Sequence, residues 1–389
     1  MKKKILALLL AAVMVLPLMA CGGGDNTNTG NSSNNEGEIK LDGSWPAEKV
    51  KIGFVGYDNT AEQQIAIQDY FDYLADYYNI EIMYSENLAD AEGELNFIAD
   101  CAAAGCKAII GYYNEAKEEA AKTAADYKMY YWGGFGGDED SYNAVKDNEY
   151  YLGGYTLGDA EYNAGKSMAE ALIAQGCEKI VLCSGGASMG IPMFVDRKAG
   201  FVDTINAAKE DGKTIEIIHE VEGWPGTPEF TAAQTSVMGM DFDAIASTFD
   251  VAMWFQLVME SGRSEEISLA CVGAVSDTYH GFVNSGLVTG IVYDNEEVIF
   301  GNAIPMILNA VSGNKLTNED GSAILFEVQR WTITNAEQFN AVYDVHDAGE
   351  WIITAEDMAN LIIANNPDMN TAAFEKYYGD FSINTVLEK

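Results

Sequence analysis

VKIGFVGYDNTAEQQIAIQDYFDYLADYYNIEIMY, residues 50–84, carries a strand, a helix and a second strand in succession. Val50–Gly56 is a short, mostly apolar run ending in glycine, the pattern of a buried strand. Glu62–Tyr78 has apolar residues at helical spacing, and Ile80–Tyr84 is a strand again. Two strands separated by a whole helix pair in parallel, because no tight hairpin joins them.

The same alternation continues outward. A helix over Ala91–Ala104 ends at Gly105, and strand Ala108–Gly111, helix Ala116–Tyr127 and strand Met129–Trp132 follow. After a less patterned stretch come helix Gly158–Gly176, strand Lys179–Cys183, helix Arg197–Lys209 and strand Thr214–Val221. Helix Thr231–Met238, strand Ala244–Ser247, helix Val251–Ser261 and strand Leu269–Gly273 complete a second series. Two α/β units joined near residues 150–160 are the expectation.

Upstream, Lys2-Lys3-Lys4 and the apolar run Ile5–Leu18 have the layout of a secretory signal, too short to span a bilayer comfortably. Leu18-Met19-Ala20-Cys21 resembles a bacterial lipobox, which implies cleavage before Cys21 and acylation of its thiol. Gly22–Glu38 is Gly, Asn, Ser and Thr with almost no apolar content, a tether that cannot fold. The globular part is expected to begin near Trp45–Val50.

The chain has 389 residues, 48% hydrophobic and 11% aromatic, enough for two globular domains. With 22 Lys+Arg against 60 Asp+Glu, its formal charge of −38 opposes binding to nucleic acid or to anionic lipid headgroups. Beyond Cys21, Cys101, Cys106, Cys177, Cys183 and Cys271 lack metal spacing and read as buried small hydrophobes. A Cys101–Cys106 bridge stays open. His219, His280 and His346 stand far apart, so neither a metal nor a cofactor is expected.

Five pieces in order then carry a resemblance: Asp159–Gly165, Asp196–Phe201, Phe242–Asp250, Val272–Gly273 with Gly286–Gly290, and Gly301–Gly313. Together they are similar to the ribose-binding-like, type I periplasmic binding proteins, the solute receptors of ABC importers, over roughly Val50–Gly313. The resemblance implies an α/β fold of two Rossmann-like lobes, each a parallel sheet flanked by helices, joined by a three-segment hinge. Residues 1–20 would be the signal and 21–47 the lipidated Cys and linker. Residues 48–157 plus 290–328 would form the N-terminal lobe, and 158–289 plus 329–389 the C-terminal lobe with a helical extension. Crossings are expected near Thr156–Asp159, Val288–Val292 and Phe326–Thr332.

In open α/β sheets, ligands sit beyond the carboxyl ends of strands. Here those positions hold Tyr57, Asp58, Asn59, Tyr112, Tyr113, Asn114, Trp132, Phe249, Asp250, Tyr293 and Asp294. The resemblance adds Arg197 and, after a shift, Asp277. Aromatic faces cover the apolar faces of a sugar, and carboxylates and Arg bond its hydroxyls. Structural alternatives exist: Trp132 as a core plug, Asp58 and Asp250 as helix caps, Arg197 as partner of an acid. Phe249 stands where sugar-binding relatives often have Asn, and Ala274-Val275-Ser276-Asp277 replaces a common Phe-Asp.

The resulting expectation is an extracytoplasmic, lipid-anchored, monomeric solute-binding protein that captures a small ligand, a sugar first, and delivers it to an ABC importer permease. A nucleoside or aromatic ligand, or a ligand-presenting sensor, is the alternative. No Gly-x-Ser-x-Gly elbow or placed acid/base pair supports an enzyme, and the acidic, exported chain is not a repressor. Past about Thr334, Ala355–Ala364 and Thr371–Tyr378 suggest added helices on one lobe.

Overall fold

Among the described residues, twelve strands form two six-stranded sheets. The computed structural model describes residues 39–388 except 136, 137, 329 and 381; the signal, Cys21 and the first part of the linker lie outside them. Residues 37–389 make one compact unit.

The first series runs β1 (Val50–Val55), α1 (Glu62–Tyr77), β2 (Ile80–Tyr84), α2 (Ala91–Ala103), β3 (Ala108–Gly111), α3 (Glu118–Asp126), β4 (Tyr130–Trp132), α4 (Glu139–Val145) and β5 (Tyr151–Thr156). The second runs α5 (Ala160–Gln175), β6 (Lys179–Gly185), α6 (Pro192–Glu210), β7 (Glu216–Glu222), α7 (Pro228–Val237), β8 (Ala244–Ser247), α8 (Phe255–Ser261), β9 (Ser268–Gly273), α9 (Asp277–Asn284) and β10 (Val288–Tyr293). Then follow α10 (Glu296–Gly301), α11 (Ala303–Val311), β11 (Ile324–Glu327), β12 (Trp331–Ile333), α12 (Ala336–Asp347), α13 (Ala355–Ala359), α14 (Thr371–Asp380) and α15 (Ile383–Leu387). The first sheet has the order β11-β5-β4-β3-β1-β2 and the second β12-β10-β9-β8-β6-β7. Among the described residues, only the β10–β12 pair is antiparallel.

Local chemistry explains the element ends. Asp90 accepts the Gly93 N–H at the start of α2, Thr227 caps α7 with Pro228 behind it, and Gly176 closes α5 in the left-handed conformation. Strand β5 was hidden by its paired glycines. Gly153 has φ +95°, and a Cβ there would lie 1.7 Å from the Ile324 carbonyl oxygen, so this close strand approach needs glycine. Two of the glycines behind the family resemblance have a packing role too. A Cβ on Gly165 would meet the Arg197 carbonyl oxygen at 1.8 Å, and one on Gly200 the Tyr162 carbonyl oxygen at 1.9 Å. Helices α5 and α6 therefore cross backbone to backbone.

Two boundaries depart from expectation. Residues 290–293, placed in the first lobe, belong to β10, whose Ile291 and Val292 register with Cys271 and Val272 of β9 in the second sheet. The chain crosses after Tyr293 instead. The extension, assigned to the second lobe, is shared by both. Helix α12 packs on α9, with His280 stacked on Tyr343 at 4.2 Å and Asn340 bonded to Asn284. The following segment returns to the first lobe: Tyr70 and Tyr78 donate to the carbonyls of Ile353 and Ala355, and Asn309 donates to that of Leu361. Phe374 and Tyr378 pack on Phe326 of β11, while α15 lies against α12 and β12. Amphipathic spacing shows that a helix buries a face, not which lobe receives it.

The five cysteines of the described residues are free and buried, so Cys101 and Cys106 are unbridged. No described helix is long and apolar enough to cross a membrane, and no described His/Cys/Asp/Glu group could hold a metal ion.

Candidate functional site

The close crossing of α5 and α6 brings Arg197 beside Glu161, and both are about 5% exposed. Arg197 Nε donates to Glu161 and its Nη1 donates to the Thr248 carbonyl at 2.7 Å. Arg330, on the crossing between β11 and β12, places Nη1 and Nη2 on the two Glu161 oxygens at 2.9 and 3.0 Å. Its Nε reaches Asp294 at 2.6 Å, just after β10. One guanidinium thus ties the start of α5 to both later crossings. Burial pushes the Glu161 carboxyl up, but Arg330 and Arg197 outweigh it and hold the group below its ordinary value. Burial lowers Arg197, and Arg330 is raised by Asp294 and Glu161 despite burial. Each charge has a partner, as buried ions require. Two of the five Arg197 N–H donors are thus engaged within the protein.

The first lobe's candidate residues form an aromatic shelf with a bonded loop beside it. Tyr57, 40% exposed, lies 5.5 Å from the ring of Tyr112, which stacks on Phe54 and donates to Gln63 Oε1 at 2.7 Å. Asp58 accepts the Thr60 N–H and hydroxyl, so its carboxylate serves the turn. Asn59 is held by Gln64, Gln68 and the Ser85 carbonyl. Tyr113 is half-buried against the α2–α3 core, and the Asn114 amide donates to the Gly134 carbonyl. Trp132 has no exposed surface and packs against Tyr155 and Phe300, so the core-plug alternative holds for it in this conformation.

In the second lobe Phe249 packs edge-on against Phe194, which also meets Trp224, an exposed aromatic that the sequence did not single out. Asp250 accepts the Ala252 N–H at 2.6 Å, a turn just ahead of the short helix at Ala252–Trp254, whose N-cap position is Val251. Asp277 is exposed and accepts the Tyr343 hydroxyl at 2.6 Å, which fastens the extension to α9.

A cavity of about 690 Å³ opens between the lobes. One wall is α1 and α10 of the first lobe, with Gln63, Ala66, Asp69, Glu296 and Glu297. The facing wall is the carboxyl ends of β9 and β10, including Gly273–Ser276, Tyr293 and Asp294. The extension closes one side with His346, Glu350 and Trp351. Of the sequence candidates, the structure brings Tyr293 and Asp294 into this wall. Glu297 is 2% exposed and bonds His346 Nε2 at 2.8 Å and the Ile353 N–H at 2.7 Å. Glu296 is pushed up to about 8 by burial, with Asp294 and Glu297 adding repulsion. The run Asp294–Glu297 directly after a strand was the available signal for Glu296 and Glu297. Nothing local marked His346 or Trp351.

No family model and no curated protein matches this chain. Solved structures do. A periplasmic solute-binding protein of an ABC transporter from Actinobacillus succinogenes, bound to D-allose, is 15% identical with TM-score 0.59 over 75% of this chain and 99% of that one. The chain has the type I periplasmic binding protein fold. The arabinose ABC transporter's binding protein from Shewanella sp. ANA-3, bound to arabinofuranose, is 19% identical with TM-score 0.54 over 77% and 97%. The XylFII–LytSN complex matches at 16% identity and TM-score 0.52 over 75% and 99%. The cavity lies between the β9 and β10 ends of the second sheet and helices α1 and α10 of the first lobe. About a fifth to a quarter of the chain has no counterpart in these proteins.

Proposed function

We propose that this chain is an extracytoplasmic solute-binding protein, anchored by acylated Cys21, that captures a small ligand between its lobes and delivers it to an ABC importer. A sugar is the first ligand class. The observation that carries this is the cavity between the strand ends of the second sheet and helices α1 and α10 of the first lobe, in a fold whose solved neighbours are named for sugars. Tyr293 and Asp294 of its wall supply an aromatic surface and a hydroxyl acceptor. Walls from both lobes allow a ligand to favour the closed arrangement, because only differential affinity shifts such an equilibrium. Binding, not turnover, is the activity this arrangement performs.

Titration calorimetry of the protein against D-allose, L-arabinose, D-galactose and two nucleosides tests the proposal. Saturable one-to-one binding of a sugar is expected, and binding of nucleosides alone overturns the sugar class. The neighbour in complex with a second protein favours one other reading, a ligand-presenting sensor. Co-purification with a permease separates transport from that role.

A further inference from the structure

The cavity's charge is one-sided. Asp69 and Glu350 stand at its mouth, Asp294, Glu296 and Glu297 line it further in, and no Lys or Arg is part of its wall. Two of these carboxylates are already served, Asp294 by Arg330 and Glu297 by His346. Among the described residues, no basic group pairs with Asp69, Glu296 or Glu350. Glu296, raised to about 8 chiefly by burial, keeps its proton at neutral pH and needs no counter-charge, which leaves Asp69 and Glu350 as the unpaired charges.

Independently of the acids, the wall has aromatic faces suited to a cation. Trp351, half-buried, is braced by Tyr70 at 4.9 Å and Tyr73 at 5.8 Å and borders the cavity, with Tyr293 also in the wall. A braced indole attracts an ammonium group through its negative face, and more strongly once the pair is desolvated. At about 690 Å³ the space suits one small molecule. A neutral sugar would leave the two carboxylates at the mouth, Asp69 and Glu350, without a counter-charge, whereas an amine supplies one.

Resting on the solute-binding reading above, we infer that this cavity takes a small ligand bearing a protonated amine, an amino sugar in the first instance, and that Glu350 and Trp351 of the C-terminal extension contact it. The extension is then part of the binding site as well as of the packing. Its side of the cavity meets the amine, and the strand ends meet the hydroxyls.

The test is calorimetric titration of the full-length protein with D-glucosamine and D-glucose, D-galactosamine and D-galactose, and putrescine, an amine without a sugar ring. The amino sugars are expected to bind at least tenfold tighter than their neutral counterparts. Glu350→Gln, at an exposed position, should cut the amino-sugar affinity several-fold, and by a larger factor than it cuts any neutral-sugar affinity. Ligand-induced change in tryptophan emission should shrink in Trp351→Phe. Neutral sugars binding as tightly as their amino counterparts overturn the amine requirement and leave the sugar reading standing. Putrescine binding without any sugar keeps the amine and overturns the sugar. Silence from all five overturns the inference.

Discussion

At the residue scale, burial decides what charged groups do. Glu94 lies beneath the loop that carries Tyr112–Asn114, without exposed surface. One carboxylate oxygen accepts the Ala116 N–H at 2.8 Å and the other has no partner. Burial pushes its carboxyl up to about 7 from an ordinary 4.5. Between those values the folded protein holds a proton that the unfolded chain releases. Its contribution to stability is thus full below pH 4.5, lost as pH rises through 7, and absent above. The loss is about 3 kcal/mol. Glu94→Gln should flatten this part of the stability–pH curve, measured by urea unfolding at pH 5, 6, 7 and 8. Equal slopes in the variant and the parent would show that Glu94 ionises freely. Arg197 teaches the same lesson at a different position. Its charge was legible, but whether it met Glu161 or a ligand was not, because the two lie on separate helices.

At the element scale, the α5–α6 crossing is the most demanding piece of packing. Gly200 lies against the Tyr162 carbonyl, and backbone cannot move aside as a side chain can. Gly200→Ala should destabilise by about 1–3 kcal/mol or more through overpacking. Gly281, inside α9 with nothing within 4 Å of an added Cβ, is the matched control. Gly281→Ala should instead stabilise by up to about 1 kcal/mol through helix propensity. Urea midpoints of both variants check the pair, and equal effects would remove the crossing as the cause. Elements with strong periodicity, such as α1 and β1, were legible directly. The Gly301–Gly313 piece of the resemblance is helical as α11, set off from the short α10 at Asn302, and Pro305 falls in the first turn of α11, where its missing N–H is tolerated. Strand β5 was missed because its glycines, needed for close approach, are also the usual signal for a loop.

At the scale of the whole molecule, the extension changes what the fold is. Three crossings join the sheets, and the segment from α12 to α15 adds further ties from α9 to Tyr70, to Phe326 and back to β12. Its Phe339, Val342, Ile353, Met358, Leu361 and Phe374 are all buried. Ending the chain at Thr334 would uncover their partners on both lobes. The truncated protein is expected to bind a hydrophobic dye and to lose its near-ultraviolet dichroism, as a loosened core does. A truncated chain that keeps a sharp thermal transition and the parent's spectrum would show that the two lobes stand without it.

The sequence by itself determined the layered α/β architecture, the parallel pairing and the division into two lobes, because helix and strand periods are local properties that survive without knowledge of neighbours. It also pointed to Tyr293 and Asp294 as strand-end residues. Only the tertiary structure decided that Trp132 is core, that Asp277 fastens the extension, and that the cavity is assembled from segments near residues 63–69, 272–276, 293–297 and 346–351. The physical reason is separation along the chain. A cavity is a gap between surfaces brought together by packing, and no local period records which distant segments will face each other across it.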